Sequence, residues 1–223
     1  MAAPARARLG ASSRSGTRIK ICGCAALEDV ERALEVGADA VGFIFARSPR
    51  QITPQQAADL AQAVPDGITL VGVFVDPSRR ALEATLAALP RMTLQFSGGE
   101  SPDICRWSGR PYLKVLRVAA TGGHAELGRQ LERYWDALPV FETAGARAGG
   151  SGRPFPWDRV TDLTREREVV ISGGLNPDNV ADCVGLLRPY AVDVRSGVES
   201  AGRKDPARLR AFFAAVRAAD AAT

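Results

Sequence analysis

The chain holds a single histidine, His124, among 223 residues. Its four cysteines, Cys22, Cys24, Cys105 and Cys183, show no metal-ligand spacing, and Cys22-Gly23-Cys24 is too tight for a zinc knuckle. A metal centre is therefore not expected. So few cysteines in a chain this long also argue against a disulfide framework and fit a reducing cytoplasm. No apolar run reaches the length of a membrane span. No patch interleaves aromatic and basic residues. The net charge of +4 and the pI near 9.1 thus fit a small anionic substrate better than nucleic acid. Residues 1–16 contain no acid, are rich in Ala, Arg and Ser, and lack the apolar stretch of a secretion signal. They are expected to form a disordered extension ahead of one domain spanning 17–218.

What the chain does have is a repeated rhythm. Short apolar runs, rich in β-branched residues, alternate with helix-like stretches. The runs are Arg18–Cys22, Ala40–Phe45, Leu70–Val75, Met92–Phe96, Tyr112–Val118, Leu138–Glu142, Val169–Ile171 and Ala191–Val194. Thr53-Pro54 opens one helix as cap and first residue, and Asp76-Pro77 is expected to start another. Strand-plus-helix units recur at roughly 20–30-residue spacing, which predicts a (βα)8 TIM barrel in the α/β class. A flavodoxin-like doubly wound sheet competes, but it needs only five or six such units.

Barrel chemistry sits at the C-terminal ends of strands. Two runs there close in glycine turns, Ser172-Gly173-Gly174 and Ser196-Gly197. Glycine amides approach an anion without a Cβ in the way, and these turns follow strands seven and eight, the usual phosphate position. Asn176 is expected to cap a helix with Pro177 in its first turn, aiming a helix N-terminus at the same anion. Arg195 lies inside this cup, Asp193 stands at the end of strand eight and Ser97 at the end of strand four. Cys22 ends strand one and can act as a base if a cation such as Lys20 favours its thiolate. The competing role is a small buried hydrophobe. Glu142 ends strand six, across a closed barrel, where a carboxylic acid can protonate an oxygen. The competing role is an ion pair with Arg117 or Arg147. Arg50, in Ser48-Pro49-Arg50, is suited to gripping a carboxylate in bidentate fashion. Gly149-Gly150-Ser151-Gly152 is a glycine-rich loop able to fold over a ligand.

These motifs together resemble the phosphoribosylanthranilate isomerase family of tryptophan biosynthesis. The resemblance runs from about Arg18 to Phe213. It is carried by Lys20-Ile21-Cys22-Gly23, Gly37-Ala38-Asp39-Ala40-Val41-Gly42-Phe43, Ser48-Pro49-Arg50, Val71-Gly72-Val73-Phe74-Val75, Gly149-Gly150-Ser151-Gly152, Ser172-Gly173-Gly174-Leu175-Asn176-Pro177, Val192-Asp193-Val194 and Ser196-Gly197-Val198-Glu199. It implies a cofactor-free Amadori rearrangement of a phosphorylated aryl-amine sugar, in a monomer or homodimer. Cys22 falls at the family's general base, Glu142 at its general acid and Arg50 at the anthranilate end. Gly150, Gly152, Gly173, Gly174, Asp193, Ser196 and Gly197 fall in substrate-binding turns. The chain departs from the pattern at the mouth of the barrel. Glu142 replaces an aspartate, Ser97 a histidine and Arg195 a small residue. Those departures keep open a related barrel with an altered substrate, or a phosphate binder without catalysis.

Overall fold

In each of the eight apolar runs every second residue turns inward, and this alternation sets the architecture. A computed structural model describes residues 6–10, 15–144 and 154–222. Its eight parallel strands close on themselves in sequence order. They are β1 (Arg18–Cys22), β2 (Ala40–Ile44), β3 (Thr69–Phe74), β4 (Thr93–Phe96), β5 (Tyr112–Val118), β6 (Leu138–Thr143), β7 (Val170–Ser172) and β8 (Ala191–Val194). Between and after them run α1 (Leu27–Glu35), α2 (Pro54–Ala61), α3 (Arg79–Ala88), α4 (Pro102–Arg106), α5 (His124–Arg133), α6 (Thr161–Glu166), α7 (Val180–Leu187) and α8 (Pro206–Ala221). The barrel expected from the spacing of the runs is the one observed.

One parity of strand residues, including Ile19, Ile21, Val41, Phe43, Phe96 and Phe141, packs against the helix layer. The other parity faces the barrel axis. Ala40, Val71, Leu113, Leu138, Val170 and Ala191 fill the lower layer, and Cys22, Ile44 and Val73 meet near the top. Inward parity also belongs to Lys20, Arg117, Glu142 and Asp193. Register then pairs these charges across neighbouring strands: Lys20 lies opposite Asp193 where β1 meets β8, and Arg117 lies opposite Glu142 on β5 and β6.

Helix starts follow their capping chemistry. Thr53 and Gln56 form a reciprocal capping box on α2, and Asp205 caps α8. Two starts lie later than the sequence suggested. Ser78 rather than Asp76 caps α3, because Asp76 adopts φ +45° and its carboxylate accepts the Gly99 N–H at 2.8 Å. After β7 the helix begins at Val180 and not at Pro177. The Asn179 side chain instead closes a turn, accepting from the Asn176 N–H at 2.9 Å and donating to the Gly174 carbonyl at 3.0 Å.

The expected disordered extension differs over residues 6–10. Leu9 is fully buried with Ala7 in the lower barrel layer. Its N–H donates to the Tyr190 hydroxyl at 2.9 Å, and the Gly10 N–H donates to Thr69 Oγ1 at 2.9 Å. The open base of a barrel is an apolar hole, and one leucine can fill it. Composition, dominated here by Ala, Arg and Ser, does not register a single well-placed side chain. Leu9→Ala is expected to lower unfolding free energy by about 2 kcal/mol, the lower end for a buried leucine. Urea melts of both proteins measure it, and an unchanged midpoint would show the arm to be idle.

Candidate active site

The C-terminal strand ends surround a cavity of about 790 Å³, open to solvent. Cys22, Ser97, Glu142, Gly173, Gly174, Asp193, Arg195, Ser196 and Gly197 all line it, so nine of the residues expected from sequence come together. Gly150 and Gly152 lie outside the described residues. Arg50 does not line the cavity. Its guanidinium is held at the rim by Glu199 at 2.9 Å, while Arg47, three residues earlier, lines the wall.

Cys22 is the last residue of β1 and points inward, as does Lys20 two positions before it. The Lys20 ammonium is fully buried and donates to both Asp193 oxygens at 3.0 Å. Gly42, opposite Cys22 in the register, makes room for this arrangement. A Cβ there would lie 3.1 Å from the Cys22 sulfur and 3.2 Å from Lys20 Nζ, so thiol and ammonium share the space a side chain would take. Burial pushes the Cys22 thiol up, and Asp193 adds to this. Lys20 pulls it back most strongly, helped by Lys204 and Arg195. Burial works against the Lys20 charge, but Asp193 and the neighbouring sulfur outweigh it and hold the ammonium at about 12.

Glu142 lies across the mouth, with Arg117 of the adjacent strand on its carboxylate at 2.5 Å. Burial raises the Glu142 carboxyl above its ordinary range. Arg117 opposes that shift, and Asp193 reinforces it. Asp193 therefore bears electrostatically on both groups. It anchors the cation beside the thiol and disfavours a second negative charge on Glu142.

The two glycine turns meet. Gly173 and Gly174 adopt φ +87° and +74°. A Cβ on Gly197 would lie only 1.9 Å from the Leu175 carbonyl oxygen. Glycine is thus required where the turn after β8 presses on the turn after β7. A short 3-10 helix, Ser196–Val198, continues from the cup. Beyond it Glu199–Ser200 (β9) and Arg203–Lys204 (β10) form an antiparallel hairpin.

Sequence reasoning missed this hairpin and two of its residues. Glu199 holds Arg50, and Lys204 reaches the back of the site. Strands of two residues show no alternation. The available signal was Ala201-Gly202, both at positive φ (+48° and +75°), as a two-residue hairpin turn requires. Arg47 was also missed, since an exposed loop arginine carries no pattern.

The chain matches the family model for N-(5'phosphoribosyl)anthranilate (PRA) isomerase over residues 19–215. It is 45% identical over 204 residues to the N-(5'-phosphoribosyl)anthranilate isomerase of Acidithiobacillus ferrooxidans, covering 90% of this chain and 97% of that protein. It is 43% identical over 213 residues to the enzyme of that name from Pseudomonas fluorescens, covering 91% and 100%. The crystal structure of phosphoribosyl anthranilate isomerase from Thermotoga maritima superposes with a TM-score of 0.81 at 34% identity, covering 91% of this chain and 99% of that one. A structure of the enzyme in complex with reduced 1-(o-carboxyphenylamino)-1-deoxyribulose 5-phosphate superposes at 0.77 and 32% identity, with the same coverage. With the family model spanning nearly the whole barrel and relatives alike along their full length, the chain belongs to the N-(5'-phosphoribosyl)anthranilate isomerase family.

Proposed function

We propose that this protein converts N-(5'-phosphoribosyl)anthranilate to 1-(2-carboxyphenylamino)-1-deoxyribulose 5-phosphate, with Glu142 as general acid and Cys22 as general base. One observation carries the assignment: a thiol beside a buried ammonium and a raised carboxyl line the same cavity, next to two touching glycine turns. Protonated Glu142 gives its proton to the furanose ring oxygen, and the C1–O bond opens to leave an iminium. The Cys22 thiolate removes the C2 proton, and the electrons form the enolamine, which tautomerises to the amino-ketose. Lys20 stabilises the thiolate. The turns at Gly173-Gly174 and Ser196-Gly197 bind the phosphate. Arg50, oriented by Glu199, and Arg47 on the wall meet the substrate carboxylate. No step calls for a metal or an organic cofactor. The buried, unpaired cysteines fit a cytoplasmic setting.

Expression of the chain is expected to restore growth to a tryptophan auxotroph lacking this isomerase. Cys22→Ala and Glu142→Gln are each expected to lower kcat/KM by ~100-fold or more. A well-expressed chain that neither rescues growth nor turns over this substrate in vitro sinks the reading.

The pKa directions also set the pH profile. The reactive form needs Glu142 protonated and Cys22 ionised, yet burial shifts both groups up from ordinary ranges that already place a thiol above a carboxylic acid. Below the Glu142 pKa both are protonated, and above the Cys22 pKa both have lost their protons. Turnover should therefore form a bell, with its acid limb at Glu142 and its alkaline limb at Cys22. Lys20→Met raises the thiol further, so the alkaline limb should move to higher pH while the plateau falls. An alkaline limb that stays in place would refute the role given to Lys20.

Gly197→Ala forces the two turns apart. KM should rise at least about tenfold, the equivalent of about 1.4 kcal/mol of binding, with kcat changed less. Steady-state kinetics on the folded variant decides it, and an unaltered KM would move the phosphate elsewhere.

A further inference from the structure

We propose that Lys204 is a positioning residue for the isomerisation: its ammonium locks the peptide that carries Cys22 and ties it to the turn after β8. The proposal rests on the assignment of Cys22 as base. Lys204 comes from β10, outside the barrel strands, yet it is 1% exposed. Its ammonium has three donors and uses all of them. They go to the Cys22 carbonyl at 2.7 Å, the Arg195 carbonyl at 3.1 Å and Glu199 Oε1 at 3.0 Å.

The peptide after Cys22 is thereby pinned from both sides. Its carbonyl accepts from Lys204, and its N–H, on Gly23, donates to the Gly42 carbonyl at 2.9 Å. A peptide held at both ends fixes the direction in which the Cys22 side chain leaves the strand. The same ammonium holds Arg195, which begins the turn after β8, and shares Glu199 with Arg50. One buried charge thus sets three segments of the site against each other. Glu199 compensates it, as a buried cation requires. The hairpin itself is anchored on α1, where Arg203 pairs with Glu28 at 3.0 Å and Arg32 donates to the Lys204 carbonyl at 2.6 Å.

Charged groups facing the Cys22 sulfur come from every side: Lys20 on β1, Asp193 on β8, Arg195 in the following turn and Lys204 on β10. Removing Lys204 takes away one cation and frees the peptide. A displacement of about 1 Å in a catalytic group lowers rate by ~100-fold.

The test uses the full chain with Lys204→Met, which keeps side-chain length without the ammonium, and Lys204→Gln, which keeps two N–H donors. Folding is checked by circular dichroism. Lys204→Met should lower kcat by ~100-fold with a far smaller change in KM, and Lys204→Gln should recover part of that loss. Alkylation of Cys22 by iodoacetamide, followed by mass spectrometry against pH without substrate, should shift to higher pH in Lys204→Met. A folded Lys204→Met with native kcat and a native alkylation profile overturns the proposal. So does a loss of kcat with an unaltered profile, since general structural damage would give that. If neither variant folds, Glu199→Leu releases one of the three bonds while keeping the ammonium and should lower kcat by less; a native kcat there overturns the proposal. Should Cys22→Ala retain turnover, the base assignment falls, while the alkylation profile still judges the clamp on its own.

Discussion

The ion pair of Lys20 with Asp193 is the constraint on which the site depends. It spans β1 and β8, the two strands whose pairing closes the barrel. An ammonium with no solvent exposure is tolerable only beside a compensating charge, and both Asp193 oxygens provide it at 3.0 Å. The pair therefore requires closure in this register. A slip of one residue in either strand would turn its charge into the apolar layer between sheet and helices and leave the other unpaired. The same register puts Cys22 against Gly42, where the missing side chain leaves space for sulfur and ammonium together. Closure of the fold and electrostatics of the thiol are thus one arrangement seen at two scales.

A second charged pair answers it across the mouth. Arg117 and Glu142 are also register neighbours on adjacent inward positions. A glutamate has one methylene more than the aspartate that the family resemblance implies there. In this chain that longer side chain meets an arginine from β5, so its carboxylate is held from the side rather than left to swing. The turns after β7 and β8 complete the rim. They touch closely enough that Gly197 admits no side chain.

Much of this was legible in the sequence, for a definite reason. A strand whose every second residue is apolar and whose last inward residue is Cys or Glu displays that residue at the rim. Cys22 and Glu142 followed from alternation and strand ends alone. The glycine turns were legible as small-residue closures of apolar runs: Gly173 and Gly174 adopt positive φ, and Gly197 lies too close to the Leu175 carbonyl for a side chain. Contacts decided by closure were not legible. Lys20 and Asp193 are 173 residues apart in sequence, and nothing local to either names the other. Glu199 and Lys204 were hidden in strands too short to alternate. Leu9 was hidden by the composition around it, and the family match, which starts at residue 19, does not reach it.

The arrangement also explains why burial and catalysis pull against each other here. Burial strengthens charge interactions between the groups on the cavity wall, yet it also favours their neutral forms. Burial alone favours the protonated form of both the thiol and the carboxyl, whereas the proposed chemistry asks the thiol to have lost its proton. Lys20, Lys204 and Arg195 counter this for Cys22, each from a different segment. Asp193 keeps the nearest of these cations in place and, being negative, also discourages ionisation of Glu142. The single aspartate thus bears on both groups: its own charge disfavours ionisation at the sulfur and at the carboxyl alike, while the cation it holds favours loss of the proton at sulfur. The proposed chemistry needs the acid and the base in opposite protonation states, and the cations gathered around the sulfur work toward that.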